Sequence, residues 1–242
     1  MATQGLYTIE KNERIAQDVY RMLLRGDLSA LSRPGQFVNV KLDGFYLRRP
    51  ISVCSYHGDE LILIYKILGK GTRQMADMLP GQTLDLLVGL GNGFDVMPAR
   101  GKRIALVGGG VGVPPLYGVM EQLRGEDVTC VMGFQSAQDV FYEAEFAELG
   151  ANVVVATVDG SKGTKGFVTD ALRDMAYDYY FACGPQPMLR AVHALGHEGQ
   201  LSFEERMGCG FGACMGCSCQ TLTGHRRICV DGPVFQSGEV QF

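Results

Sequence analysis

Residues 103–117 read RIALVGGGVGVPPLY. An apolar run of strand length passes into four glycines, Gly108, Gly109, Gly110 and Gly112, and then into a segment whose Leu116, Val119, Met120 and Leu123 fall at helical spacing. A buried strand, a tight turn and a helix in that order are the unit of a parallel sheet covered by helices. The rhythm continues downstream. VTCVMGF (128–134) is a second strand, with FYEAEFAEL (141–149) as its helix. NVVVATV (152–158) is a third, followed by a helical face of Val168, Leu172 and Met175. YYFACG (179–184) is a fourth, followed by Met188, Leu189, Val192 and Leu195, and LSFEE (201–205) reads as a fifth. Residues 99–200 are therefore expected to form a doubly wound α/β domain that binds a nucleotide.

Upstream the pattern is different. In GQFVNVKL (35–42), Val38, Val40 and Leu42 share one face while Asn39 and Lys41 share the other, the mark of a half-buried strand. TIEKNERIAQDVYRMLL (8–24), RRPISVCSY (48–56), ELILIYKIL (60–68) and QTLDLLVGL (82–90) read as further strands between Gly, Pro and Asp turns. Many short strands in residues 1–98 predict a small antiparallel β barrel. One short helix interrupts it: Thr72 is placed to cap it, Met75, Met78 and Leu79 give the spacing, and Pro80–Gly81 stops it.

Residues 201–242 are too few for a core of their own, so something must staple them. They hold five of the eight cysteines. Cys209, Cys214 and Cys217 stand in C-x4-C-x2-C spacing, and Cys229 follows after eleven more residues. This is the order of thiolates around plant-type [2Fe–2S] clusters. Gly208, Gly210, Gly212 and Gly216 let the backbone wrap closely and aim N–H groups at sulfur, which helps set a cluster's potential. A structural zinc site is the alternative, although zinc ribbons usually pair two C-x2-C knuckles. Cys219 is an extra thiol, read as a bystander, while Cys54 and Cys130 read as small core residues.

Two further constellations suit cofactors. In the first, Arg49 could neutralise a pyrophosphate, Ser52 could hydrogen-bond a flavin ring edge, and Ile64, Tyr65 and Lys66 could line the ring or its ribityl chain. Gly71–Thr72 opens the short helix, whose free amides suit phosphate. Taken alone, R-P-x-S is more often a bare surface turn; the G-K-G-T helix start that follows at a fitting distance favours the cofactor. In the second, Gly109, Gly110 and Gly112 allow close approach of a pyrophosphate to a helix start, and Cys183, Gly184 and Pro185 end the fourth strand in the crevice where such sheets bind ligands. Prolines stand where a G-x-G-x-x-G would have its third glycine, and a tight loop or a buried core cysteine are the plain readings. No arginine stands at 135 or 136 to hold a 2′-phosphate, which favours NAD over NADP.

Composition narrows the classes. A net charge of −4 disfavours nucleic-acid binding as the main task. The longest uncharged stretch, Ile104 to Met120, holds five glycines and a Pro–Pro pair and makes a poor membrane span. The polar start MATQGLYTIEKNER lacks a secretory signal, so a cytoplasmic location is expected, where cysteines serve as metal ligands or free thiols.

A barrel with R-P-x-S, a sheet with GGGVGV and CGP, and a terminal cysteine cluster together resemble the ferredoxin-reductase superfamily. The tail narrows the resemblance. ERMGCGFGACMGCSCQT (205–221) with ICVDGPVF (228–235) closely resembles the electron-transfer subunits of NAD-dependent (type B) dihydroorotate dehydrogenase, and VDGSKGTKGFVTD (158–170) and CGPQPM (183–188) fit the same family. The resemblance covers nearly the whole chain. It implies FAD held by Arg49, Pro50, Ile51, Ser52, Ile64, Tyr65, Lys66, Gly71 and Thr72, a [2Fe–2S] cluster on Cys209, Cys214, Cys217 and Cys229, and NAD at the α/β domain. It also implies a role in pyrimidine biosynthesis and a partner subunit that carries FMN and oxidises dihydroorotate, in a heterotetramer of two copies of each chain. Electrons would run from the partner's FMN to the cluster, then FAD, then NAD⁺. A (β/α)₈ barrel for dihydroorotate itself needs about 250 residues, and all 242 here are assigned. Two departures stand out: Cys219 adds a thiol near the cluster, and Pro114–Pro115 replaces the more usual Ala–Pro. The rival readings are a similar reductase subunit of a sulfide dehydrogenase, hydrogenase or transhydrogenase, and a non-catalytic zinc module.

Overall fold

The computed structural model describes residues 2–242. Its first part is a closed antiparallel barrel built from β1 (Thr3–Ala16), β2 (Val19–Arg25), β3 (Phe37–Lys41), β4 (Arg49–His57), β5 (Glu60–Lys66) and β6 (Thr83–Leu90). The strands run in the order β1-β2-β5-β4-β3-β6. Alternation decides what fills it. Tyr7, Ile9, Met22, Leu24, Val38, Val40, Leu61, Leu63, Leu84 and Leu86 point inward and form one buried cluster. Residues 8–24 are two strands rather than one. The chain reverses at Gln17–Asp18, where Asp18 takes a left-handed φ of 56° and Ala16 pairs with Val19.

The interrupting helix, α1 (Lys70–Ala76), begins earlier than expected, with Gly69 at its N-cap. Thr72 lies inside the first turn and reaches back, its Oγ1 accepting the amides of Leu68 (2.9 Å) and Gly69 (3.3 Å). It closes the turn from within, as the third residue of a capping box does.

The second part is a seven-stranded sheet. It comprises β7 (Arg103–Gly109), β8 (Asp127–Phe134), β9 (Asn152–Thr157), the short β10 (Thr164–Lys165), β11 (Tyr179–Cys183), β12 (Glu198–Ser202) and, from far along the chain, β15 (Val234–Gln236). The order is β10-β9-β8-β7-β11-β12-β15, parallel throughout except for β15 against β12. Helices α2 (Pro114–Gln122) and α3 (Glu143–Glu148) cover one face; α4 (Val168–Leu172) and α5 (Gln186–His193) cover the other. Ile104 and Leu106 pack with the first pair, Ala105 and Val107 with the second. This two-sided burial is why the strand reads as a continuous apolar run.

The sheet runs through the 200/201 boundary read from the sequence: β12 crosses it, and β15 returns to the sheet edge. Between them lies the cysteine segment, whose regular structure is one hairpin, β13 (Ser218–Thr221) with β14 (Gly224–Arg227). The staple that so short a segment needs is thus partly the sheet itself. Among the described residues no helix is long and apolar enough to cross a membrane.

Candidate functional site

The ends of β4 and β5 and the start of α1 enclose a cavity of about 390 Å³. All nine residues expected to hold a flavin line it: Arg49, Pro50, Ile51, Ser52, Ile64, Tyr65, Lys66, Gly71 and Thr72, joined by Leu68, Gly69, Lys70 and Val111. Arg49 lies with its guanidinium 4.6 Å from the centre of the Phe45 ring and donates to the Leu47 carbonyl. Gly71 makes that pose possible, since a Cβ there would come within 2.5 Å of Arg49 Nε. The first helical hydrogen bond of α1 runs from Arg73 N–H to the Gly69 carbonyl (3.0 Å). The amides of Lys70, Gly71 and Thr72 precede it and have no intrahelical acceptor. A guanidinium and a set of open amides on one cavity suit a pyrophosphate. Tyr65 lines the cavity and also reaches inward: its ring packs in the barrel core and its hydroxyl donates to Asn12 Oδ1 at 2.9 Å.

The glycine turn lies next door. β7 and β11 are neighbours with Gly108 opposite Cys183, so Gly109, Gly110 and Gly112 stand beside Cys183, Gly184 and Pro185. The fit leaves no room for side chains. A Cβ on Gly112 would overlap the Cys183 carbonyl, and Cβ atoms on Gly109 and Gly184 would meet Met188 at 2.6 and 2.7 Å. Gly110, at φ +53°, faces open space, and Val111 reaches the flavin cavity. One expectation is corrected: α2 opens with Pro114 and Pro115, which carry no N–H, so its first turn is poor in donors. Any anion at this turn has to be met by the amides of the glycine segment itself. Burial pushes the Cys183 thiol up to about 12, which keeps it a neutral contact rather than a nucleophile.

The four expected ligand cysteines stand as two pairs. The Cys209 amide donates to Cys214 Sγ (3.4 Å), and the amides of Ala213 (3.2 Å) and Cys214 (3.4 Å) donate to Cys209 Sγ. The Cys229 amide donates to Cys217 Sγ at 3.5 Å. Among the described residues no three Cys, His or carboxylate side chains converge on a single ion-sized point. Two thiol pairs are the donor set that a two-iron cluster uses, one pair per iron. Desolvation pushes the Cys209 thiol up, but the amides of Phe211, Cys214 and Ala213 outweigh it and bring it down to about 6. Burial, and then the neighbouring Cys217, push Cys229 up to about 12. Cys219 sits half-buried on β13, its thiol raised by burial and by Glu205.

Two residues of this site escaped the sequence reading. Alternation puts Asn39 on the solvent side of β3, yet it is 1% exposed because the cysteine loop covers that side. Its Nδ2 donates to the Cys209 carbonyl at 3.1 Å, and Gly210 is glycine because a Cβ would overlap that nitrogen. Arg227 Nη1 donates to the Gly212 carbonyl at 3.0 Å. Its place two residues before Cys229 was the only signal for it.

Comparison with known proteins agrees with this geometry. Residues 106–194 match the oxidoreductase NAD-binding domain family, and residues 204–241 match the iron–sulfur cluster binding domain of dihydroorotate dehydrogenase B. The electron transfer subunit of dihydroorotate dehydrogenase B (NAD(+)) from Geobacillus sp. strain WCH70 is 47% identical over 256 residues, covering 99% of each chain. That from Fusobacterium nucleatum is 44% identical over 252 residues, covering 97% of each. The chain belongs to the family of dihydroorotate dehydrogenase B electron-transfer subunits. Members of this family share their architecture with other reductases. A solved structure of an NADH-dependent reduced ferredoxin–NADP oxidoreductase, studied for flavin-based electron bifurcation, superposes with a TM-score of 0.86 at 30% identity, covering 100% of this chain and 91% of that one. The ferredoxin reductase of carbazole 1,9a-dioxygenase shares the fold at 20% identity, with a TM-score of 0.69 over 80% of this chain and 65% of that one. In this family member, β12 lies between the two matched regions.

Proposed function

We propose that this chain is the electron-transfer subunit of a dihydroorotate dehydrogenase of the NAD-linked type, passing electrons from the FMN of a catalytic partner through a [2Fe–2S] cluster and FAD to NAD⁺. The observation that carries the reading is the position of β3. Asn39 on β3 bonds the loop of the thiol pairs. Its register partner on β4 is Pro50, which lines the flavin cavity. Paired positions on antiparallel strands share a face, so the thiol loop and the cavity rest on neighbouring strands of one barrel.

FAD, when bound, exchanges hydride with a nicotinamide and single electrons with an iron–sulfur cluster. The chain's own residues supply position and charge. Arg49 would neutralise the pyrophosphate, assisted by the amides of Gly71 and Thr72, while Ser52 would hydrogen-bond the ring edge. Pro50, Ile51, Ile64, Tyr65 and Lys66 form the walls. Gly109, Gly110 and Gly112, with Cys183, Gly184 and Pro185, bring NAD to the mouth of the same cavity, where Val111 already reaches. Cys209 and Cys214 would hold one iron of the cluster, and Cys217 and Cys229 the other. We propose the division into a flavin barrel (1–98), a nucleotide domain (99–200) whose sheet also takes in the end of β12 and β15, and a cluster segment (201–242), together with a complex of two copies of each chain and a cytoplasmic location.

The exposed apolar side chains beside the thiols, Phe211, Met215 and Val230, support a partner-facing role for the cluster segment. The test is Cys214→Ser in the assembled complex. NAD⁺ reduction by dihydroorotate is expected to be lost while the partner still oxidises dihydroorotate with an artificial acceptor; NAD⁺ reduction at the normal rate would remove the cluster from the path. The likeness to the ferredoxin–NADP oxidoreductase favours one second reading, a reductase module of another complex. Co-purification of a dihydroorotate-oxidising flavoprotein separates the two. A colourless protein carrying one zinc would instead support a non-catalytic module.

A further inference from the structure

Two side chains hold the cysteine loop from outside by its carbonyls: Asn39 on Cys209 (3.1 Å) and Arg227 on Gly212 (3.0 Å). In a trans peptide the C=O and N–H point in opposite directions. A donor seated on the oxygen therefore aims the next amide the other way. For the Gly212–Ala213 peptide the target of that amide is visible, because Ala213 N–H donates to Cys209 Sγ at 3.2 Å. A guanidinium stands at one end of this peptide and a ligand sulfur at the other.

Arg227 is itself held firmly. It pairs with Ser218 across the β13–β14 hairpin, its amide donates to Asp231 Oδ2 at 2.8 Å, and its Nε lies 3.6 Å from the same oxygen. Gly212 takes φ +92°, and a Cβ there would lie 2.6 Å from Val230 and 3.3 Å from Arg227 Nη1. The close approach of arginine to peptide thus depends on glycine. An arginine stays charged at every working pH and polarises the peptide it bonds, which strengthens the amide as a donor.

We infer that Arg227 is a positioning residue that raises the reduction potential of the cluster, by aiming and polarising the Gly212–Ala213 peptide toward the Cys209 sulfur. Reduction adds negative charge to the cluster and its sulfurs, and a stronger N–H donor favours that reduced form. The role rests on the reading that the four thiols hold a [2Fe–2S] cluster, and it goes beyond that reading by naming what tunes the cluster.

The test uses the full chain, purified without oxygen and with its cofactors, as wild type, Arg227→Lys and Arg227→Gln. The readouts are iron and sulfide content, the cluster midpoint from an EPR-monitored redox titration, and the coupling of the exchangeable amide proton nearest the reduced cluster. Arg227→Gln is expected to keep its iron, to show a lower midpoint and to show a weaker proton coupling. Arg227→Lys, which keeps the charge but not the fork, is expected to fall between Gln and wild type. The flavin midpoint should not move. An iron-replete Arg227→Gln with the wild-type midpoint overturns the inference. If the Gln variant holds no iron, the Lys variant decides by the same rule. Loss of iron from both overturns it as well, because Arg227 would then assemble the site rather than tune it. Wild-type protein without iron and sulfide would overturn the functional reading instead, so the two failures are distinguishable.

Discussion

At position 112 the Cys183 carbonyl occupies the place a side chain would take. Gly112→Ala must therefore push the end of β11 away from the glycine turn. Overpacking of this kind costs about 1–3 kcal/mol. The expected result is a lower urea midpoint together with weaker NADH binding, since the strand end and the turn form one wall. Gly110→Ala is the matched comparison. Its Cβ would meet nothing within 4 Å, so only the left-handed φ of +53° opposes it, at about 1–2 kcal/mol. NADH affinity should fall further in Gly112→Ala than in Gly110→Ala; equal losses would mean that the turn's conformation matters more than its packing. At the flavin cavity, Gly71→Ala forces Arg49 out of its pose. FAD affinity is expected to drop by about tenfold, the equivalent of one charge-assisted hydrogen bond, read from flavin retained after gel filtration.

At the level of elements, the cysteine segment is the least self-sufficient part of the chain. Its regular structure is one two-stranded hairpin, and such a hairpin is marginal alone. The buried side chains of Cys217, Ile228 and Cys229 join it to the main core, and β12 and β15 tie its ends to the sheet. Removing iron anaerobically is therefore expected to raise hydrogen exchange in residues 208–230 while β15 and β12 stay protected. Uniform protection before and after would show that the thiols do not depend on metal for their order. The same elements explain what the sequence could and could not disclose. Strand–helix alternation and period-2 runs are local properties, so both domains were legible. The thiol spacing was legible for the same reason. Asn39 was not, because alternation tells which side of β3 a residue faces but not what later covers that side. Nor was the inward reach of the Tyr65 hydroxyl to Asn12, a contact between residues 53 positions apart. The return of β15 to β12 is a long-range pairing that no local pattern announces.

Across the whole molecule, the barrel and the nucleotide domain meet along β4 and α2, where Val19, Cys54 and Ile64 of the barrel share a buried cluster with Leu116, Val119 and Met120 and polar contacts lie beside it. Ser55 Oγ donates to Glu121 at 2.9–3.0 Å, and His57 Nε2 lies 2.8 Å from the same carboxylate. Nearby, Arg21 Nε donates to the Tyr142 hydroxyl at 3.2 Å, and Lys66 Nζ stands 3.6 Å from Asp139. His57 is exposed, and its ion pair contributes little. Ser55 is 2% exposed, so its hydroxyl loses a buried acceptor when the carboxylate is removed. Glu121→Ala is therefore expected to cost about 1–3 kcal/mol, the penalty for a buried donor left unsatisfied. Glu121→Gln, which keeps one oxygen as acceptor, should cost less than half as much. Urea denaturation of the cofactor-loaded chain measures both. If the seam also sets cofactor alignment, Glu121→Ala will slow hydride exchange between NADH and bound flavin in stopped-flow at temperatures where the protein remains folded, with flavin content unchanged. A normal rate in a destabilised variant would mean that the seam supports the fold without registering the two sites.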